Sequence, residues 1–193
     1  MKSREKILVS LRAAQSLKID LPEMNYNREN HFLIEQFTQM ATLAGIEVIE
    51  VAKTNVSEVL HSIEDNKNIQ SSIKGYEEQY PILLNETDLF NKANTPDVFL
   101  CEARFGVAEN AAMWLDDEVL PFRILAFLPE ELIILLSKNQ LVPTMDEAYE
   151  RVEEKDYSYG LFIAGPSKTA DIEQTLVTGA QGAKKVSVIL TNE

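Results

Sequence analysis

The spacing of apolar residues along the chain predicts short helices and strands in alternation. A helical repeat of apolar side chains predicts helices over residues 3–14, 33–44, 56–63 and 145–154. Gly45 is placed to end the second of these helices. Asn55, with Glu58 three residues later, is placed to cap the start of the third.

Runs of β-branched and other apolar residues predict the strands between these helices. They cover residues 46–51, 69–73, 98–107, 111–115, 132–136, 159–164 and 185–191. A tight turn at Glu109 and Asn110 joins the third and fourth strands, because asparagine tolerates the positive φ that such a turn needs. The segment between Gly165 and Gly179 is predicted to be irregular or helical. This alternation favours an α/β fold with a partly parallel sheet, right-handed crossovers and an antiparallel hairpin.

Composition and charge narrow the class of protein. The 193 residues, 45% hydrophobic and 25% charged, predict one domain over residues 1–193, with residues 1–27 as an N-terminal helix and connector. A net charge of -13 argues against general binding to nucleic acid or to an anionic membrane surface. The N-terminus is a poor signal peptide, and every apolar run is too short to span a bilayer. Together with a single cysteine, Cys101, this predicts a cytoplasmic protein.

The first candidate site is the polar string at residues 165–173, GPSKTADIE, which follows a predicted strand. In open α/β sheets, ligands bind beyond the carboxyl ends of strands. Gly165 allows close backbone approach, and Pro166 follows it in the candidate ligand site. Ser167, Lys168 and Thr169 offer hydroxyls, backbone N–H groups and a positive charge to an anion. Asp171 and Glu173 would shape or polarise the pocket. The spacing alone favours the alternative, a capped turn in an ordinary loop.

The second candidate is the turn at residues 105–110. Glu109 would place a carboxylate at a strand-to-strand turn beside Gly106, where a catalytic acid or base is reasonable, and Asn110 would line the same turn. An exposed hairpin turn with a solvated glutamate is the alternative that spacing favours.

Other reactive residues fit structural roles better. His31 and His61 lack metal-ligand partners at suitable spacing, so we expect no metal site. Cys101 and Trp114 lie in apolar strands and are expected to pack in the core. One cysteine cannot supply the thiolates of an iron–sulfur cluster, so this chain alone is expected to bind none.

The C-terminal sequence GPSKTADIEQTLVTGAQGAKKVSVIL resembles the signature of the lactate utilization protein C family, also called the LUD domain. The family has Gly-Pro-Ser, then Thr-x-Asp-Ile-Glu, then Gly-x-x-Gly-Pro before a final strand. Here Gly182 is followed by Ala183 instead of proline. Residues 106–110 are similar to an earlier motif of the family, with Asn110-Ala111 replacing the more usual Thr-Gly or Asn-Gly.

The resemblance implies more than the spacing does. It implies a mixed, mostly parallel Rossmann-like sheet flanked by helices, similar to ribose-phosphate isomerases, glucosamine-phosphate deaminases and CoA transferases. It implies a component of L-lactate oxidation to pyruvate, with a small anionic ligand at residues 165–173 and iron–sulfur clusters only on partner proteins. Two alternatives remain: a stand-alone enzyme acting on a sugar phosphate or acyl-CoA-like substrate, and a non-catalytic assembly or regulatory subunit. The oligomeric state does not follow from the sequence.

Overall fold

The fold was described from a computed structural model, which covers residues 3–13, 30–63, 67–83, 85, 94–153, 155, 157–170 and 176–192. Its α-helices are α1 (Ser3–Ala13), α2 (Asn30–Ala44), α3 (Val56–His61) and α4 (Met145–Glu153). In the described part of the chain, none of the helices has the length and apolarity needed to cross a bilayer.

The described residues include eleven strands, which form a main sheet, a smaller sheet and a two-stranded pair. In chain order they are β1 (Ile46–Ala52), β2 (Ile69–Ser71), β3 (Val98–Glu102), β4 (Phe105–Val107), β5 (Met113–Asp116), β6 (Glu131–Ser137), β7 (Leu141–Val142), β8 (Gly160–Ile163), β9 (Lys168–Ala170), β10 (Leu176–Thr178) and β11 (Lys185–Asn192). The main sheet has the order β1-β11-β6-β3-β2, and every neighbouring pair in it is parallel. The second sheet has the order β7-β4-β5-β8 and is mixed, while β9 and β10 pair antiparallel.

The main sheet is covered on both faces, because successive side chains of each strand point to opposite sides. One face packs against α2 and the smaller sheet through Phe99, Ile134 and Val188. The other face packs against α3 through Leu100, Ile133 and Ile189. β6 is buried along almost its whole length, which is typical of a central parallel strand and explains its unbroken apolar run.

The predicted α/β class with a mostly parallel sheet and an antiparallel portion is confirmed. α2 ends at Ala44, and Gly45 follows with a φ of 86°, as its predicted role requires. Cys101 and Trp114 are buried as predicted, and burial raises the pKa of the Cys101 thiol. The connector predicted within residues 1–27 lies outside the described residues.

Three local predictions are wrong. The strand predicted over residues 98–107 is two strands, β3 and β4, which belong to different sheets. The segment predicted to be irregular or helical after Gly165 contains the paired strands β9 and β10. Asn55 precedes α3 but its side chain makes no capping hydrogen bond, because its Oδ1 accepts one from Thr54 Oγ1 instead.

Charged residues join the amino ends of three parallel strands. The carboxylate of Glu131 on β6 accepts hydrogen bonds from Lys185 Nζ at 2.8 Å and from Lys67 Nζ at 3.0 Å. Lys185 also reaches Glu47 on β1 at 2.9 Å. Burial alone would raise the pKa of Glu131, but the bonds from Lys185 and Lys67 outweigh it and the pKa lies below its usual 4.5. The bond from Lys185 likewise lowers the pKa of Glu47.

This network predicts a pH-dependent contribution to stability. A carboxylate with a lowered pKa stabilises the fold above its unfolded pKa, and that contribution is lost as pH falls through the folded value. We expect Glu131→Gln to lower the free energy of unfolding by about 1–2 kcal/mol at neutral pH. The difference from the parent protein should shrink as the pH falls below 4.5, where the unfolded chain takes up the proton first, and through the lower pKa of the folded carboxylate. Urea denaturation at several pH values measures it, and a pH-independent difference would contradict the assignment.

Candidate functional site

The two sequence motifs lie at the same end of the smaller sheet. β5 and β8 are antiparallel, and the first residue of β5, Met113, pairs with the last residue of β8, Ile163. The segment before β5, residues 109–112, and the segment after β8, residues 164–166, therefore leave the sheet side by side. The fold thus brings together two motifs that are far apart in sequence, and this end of the sheet is the candidate site.

The first motif forms a tight turn held by its own hydrogen bonds. Val107 N donates to Ala112 O at 2.8 Å, and Asn110 Oδ1 accepts from Ala112 N at 3.0 Å. The positive φ predicted for Asn110 is found instead at Ala111, whose φ is 56°. Asn110 closes the turn through its side chain, so the left-handed position moves one residue on. Ala111 is fully buried, and a Cβ in this conformation is strained.

Replacing each of two neighbouring alanines by glycine tests this strain. Ala111→Gly relieves the strained φ, which offsets the lost methyl burial and the extra chain entropy, so we expect a change within about 0.5 kcal/mol. Ala112→Gly is the matched control, because Ala112 is also buried but is not among the residues with positive φ. We expect that control to cost about 1–2 kcal/mol in urea denaturation. Equal losses for both variants would show that Ala111 is unstrained.

The Glu109 side chain lies at the amino end of α4 and caps this helix. Its Oε2 accepts a hydrogen bond from Met145 N at 3.1 Å, at the start of α4. Its own backbone N–H donates to Pro143 O at 3.1 Å. A carboxylate at a helix N-terminus meets the positive end of the helix dipole and satisfies a free N–H group. The side chain is exposed, so it is both a cap and accessible to a ligand; its role as an acid or base stays a prediction.

The second motif packs against the end of α2. Gly165 has a φ of 108°, and a Cβ at this position would lie 2.9 Å from the carbonyl oxygen of Ala44. Lys168 Nζ donates to the same oxygen at 2.5 Å, which satisfies one of the free carbonyls at the helix C-terminus. Pro166 lies beside Gly45, with its Cγ 3.7 Å from where a Gly45 Cβ would be. Gly165, Pro166 and Lys168 therefore form one contact with the α2 C-terminus.

Ser167 joins this loop to the glycines downstream. Its N–H donates to Ala183 O at 2.9 Å, and its carbonyl accepts from Gly179 N at 2.9 Å. A Cβ on Gly182 would lie 3.2 Å from the Ser167 Cβ, so a glycine fits this close approach. The fixed spacing between the Gly-Pro-Ser string and the later glycines thus has a structural reason, since the two segments form hydrogen bonds with each other.

For the remaining residues predicted to bind a ligand, the structure shows packing or strand pairing, or does not describe the residue. Gly106 is buried, and a Cβ there would lie 2.7 Å from Leu136 Cδ2, so its lack of a side chain serves packing between the sheets. Thr169 lies in β9, where it pairs with Val177. Asp171 and Glu173 lie outside the described residues. Ligand binding by these residues stays a prediction.

The position of the loop corrects one premise of the sequence argument. Residues 165–168 do not lie beyond the carboxyl ends of the parallel strands. They contact Ala44, which precedes β1, and Ala183, which precedes β11, and therefore lie at the amino edge of the main sheet. The reason is that β8 belongs to the smaller sheet, where it runs antiparallel to β5, so its end carries the chain to the opposite edge.

Comparisons with known proteins agree with this architecture. A crystal structure of a DUF162 family protein from Deinococcus radiodurans superposes with a TM-score of 0.59 at 15% identity, covering 86% of this chain and 99% of that one. At this identity the likeness shows the fold alone: a mixed α/β protein with a mostly parallel main sheet.

Sequence comparison identifies the family. The family profile described as the LUD domain matches residues 41–191, and the chain belongs to that family. It is 24% identical to lactate utilization protein C 1 of Bacillus mycoides over 190 residues, covering 83% of this chain and 80% of that protein. It is 38% identical to lactate utilization protein C of Anoxybacillus flavithermus over 72 residues, 37% of this chain and 33% of that protein.

Proposed function

We propose that this chain is a cytoplasmic component of L-lactate utilization, in which lactate is oxidised to pyruvate, and that it binds a small anionic ligand at residues 165–173. The observation that carries the proposal is the convergence of the two LUD-domain motifs at one end of the smaller sheet, in a chain whose matched relatives are named lactate utilization protein C. A shared location is expected if both motifs serve one site.

The chemistry of the loop supports an anion as the ligand. Lys168 uses one of its three N–H donors on Ala44 O, which leaves two for a ligand. The Ser167 hydroxyl has no hydrogen-bond partner among the described residues, whereas the Ser167 N–H is committed to Ala183 O. The proposal therefore assigns side-chain donors, rather than a nest of backbone amides, to the ligand.

Growth on L-lactate tests the pathway assignment. A strain that lacks this gene, and any redundant homologue, should grow poorly on L-lactate and normally on pyruvate, because the proposed block precedes pyruvate. The wild-type gene should restore growth, and Lys168→Gln should restore it less well. Normal growth of the deletion strain on L-lactate would contradict the assignment.

The proposal also includes iron–sulfur partner proteins. The only cysteine of this chain is buried in β3, so the clusters of the pathway are assigned to other proteins. Affinity purification of the tagged chain from lactate-grown cells should recover proteins with the visible absorption of iron–sulfur clusters. Recovery of the chain alone under these conditions would count against the partnership. A complex in which the chain has no activity of its own would favour a non-catalytic assembly or regulatory role.

A stand-alone enzyme is the second candidate function, and the exposed carboxylate of Glu109, in the turn at the same end of the smaller sheet as the Gly165 loop, favours it. Its substrate would be a small anion such as a sugar phosphate or an acyl-CoA. Glu109→Gln keeps an oxygen to accept the bond from Met145 N but removes the acid–base function. If Glu109 is the acid or base, the variant stays folded and loses at least about 100-fold in turnover; full activity would exclude that role.

A further inference from the structure

A cavity lies at the opposite edge of the main sheet from the Gly165 loop. It has a volume of about 460 Å³ and lies beyond the carboxyl ends of β3 and β6, where Glu102 and Ser137 line it. Ligands of open α/β sheets bind in crevices at this edge. A volume of this size is in the range of sites for organic ligands and is generous for a three-carbon acid.

The side chains that line the cavity are mostly positive where they are charged, although the protein as a whole is acidic. Among the described residues, Arg104, Arg151 and Lys155 line the cavity against one carboxylate, Glu102, in a chain with a net charge of -13. The three cations are not equivalent. Arg104 is neutralised by the carboxylates of Asp116 and Glu118, so it forms a fixed part of the wall.

The positive charges of Arg151 and Lys155 are available to a ligand. They lie four residues apart, at and just beyond the end of α4. Arg151 makes a long hydrogen bond of 3.4 Å to Gln140 Oε1 and lies 5.6 Å from the centre of the Phe105 ring. Neither residue forms an ion pair within the described part of the chain. Two cations at one cavity, without an ion-pair partner among the described residues, are suited to a carboxylate or phosphate group.

Glu102 adds a second requirement. Its carboxylate ends β3 in the same cavity, and it repels an anion unless the ligand presents a hydrogen-bond donor to it. Gln140 supplies a further polar group on the wall. The combination suits an organic anion with one negatively charged head and hydroxyl or amino groups elsewhere, and disfavours polyanions.

We propose that this cavity binds an organic anion with a single carboxylate or phosphate head, held by Arg151 and Lys155, and with hydrogen-bond donors that face Glu102. The proposal is independent of the lactate-utilization assignment, because it concerns a different edge of the sheet and is tested on the purified chain. It also leaves the identity of the head group to the experiment.

Trp114 supplies the readout. It is the only tryptophan of the chain, and its ring contacts Phe105 and Tyr157, which both line the cavity. The probes are inorganic phosphate, glucose 6-phosphate, gluconate and neutral glucose, added in fluorescence titrations of the full chain. We expect saturable responses to the anions and none to glucose. Preference for glucose 6-phosphate or for gluconate then identifies the head group as phosphate or carboxylate.

Variants assign the response to the cavity. Arg151→Gln should weaken binding at least tenfold, and Lys155→Gln should weaken it several-fold. The matched control is Arg123→Gln, because Arg123 also lies over an aromatic ring, that of Tyr159 at 4.6 Å, but does not line the cavity. Its affinity should match the parent's within twofold. Glu102→Gln should tighten binding of inorganic phosphate, a gain that misfolding cannot produce.

Three results would overturn the proposal. One is the lack of any saturable response to the anions up to about 10 mM, a concentration that reveals even weak specific binding. Another is binding of glucose as tight as that of glucose 6-phosphate. The third is a loss in Arg123→Gln as large as that in Arg151→Gln. None of these results depends on growth on lactate.

Discussion

Gly165→Ala is expected to lower the free energy of unfolding by about 3 kcal/mol. Two costs add. A φ of 108° is strained for any residue with a Cβ, and the new Cβ would lie 2.9 Å from the carbonyl oxygen of Ala44. That oxygen belongs to the backbone of α2, so it cannot move away as the end of a flexible side chain does. Any local rearrangement that relieves this contact would also disturb the hydrogen bond that Lys168 Nζ donates to the same oxygen.

Gly75→Ala separates the two costs. Gly75 has a similar φ of 93°, but nothing lies within 4 Å of where its Cβ would be. This variant should therefore cost only the backbone strain, about 1–2 kcal/mol. Urea denaturation of both variants gives the difference, which measures the contact between the loop and α2. If the two substitutions cost the same, the close approach at Gly165 is absent in solution.

The elements with a clear local cause were predictable from the sequence. α2 combines a helical repeat of apolar residues with a glycine at its end, and both signals are local. β6 contains a continuous apolar run, and β11 is buried from Val186 to Thr191 with only Ser187 and Thr191 polar, because both faces of a central parallel strand are covered. The pattern of apolar residues therefore predicted the fold class, because the fold class depends on how such strands alternate with helices.

The division between β3 and β4 could not be predicted in the same way. Glu102 is exposed and Arg104 is half-buried at the break, but apolar and charged residues alternate there, as they also would in one strand that continued through both positions. What turns the chain at Arg104 is tertiary: its side chain pairs with Asp116 at the far end of β5. No local pattern reports such a partner.

The candidate site shows the same limit. The Gly-Pro-Ser string signalled a special loop, but its neighbours, the Ala44 carbonyl and the Ala183 carbonyl, come from distant parts of the chain. The edge of the sheet at which the loop lies depends on the antiparallel direction of β8, which apolar periodicity does not reveal. The cavity beside Arg151 was missed because its lining residues are scattered from Glu102 to Tyr157 in sequence.

Asp116→Ala is the second substitution for which a large effect is expected, a loss of about 3 kcal/mol in the free energy of unfolding. Asp116 is fully buried, and its Oδ2 accepts a hydrogen bond from Arg104 Nε at 2.8 Å. Its Oδ1 accepts from the N–H groups of Glu118 at 3.1 Å and Val119 at 3.2 Å. Alanine would leave a half-buried guanidinium and two backbone donors without this partner.

Two further variants apportion the loss. Asp116→Asn keeps an oxygen for the two backbone N–H groups but removes the charge that pairs with Arg104, so its cost should lie between those of the parent and of alanine. Glu118→Gln removes the other carboxylate on Arg104, but that side chain is 65% exposed, and a pair open to water contributes less than about 1 kcal/mol. Urea denaturation should therefore rank the losses as Asp116→Ala, then Asp116→Asn, then Glu118→Gln. A Glu118→Gln variant as unstable as Asp116→Ala would mean that the exposed carboxylate, and not the buried one, holds the guanidinium at the edge of the cavity.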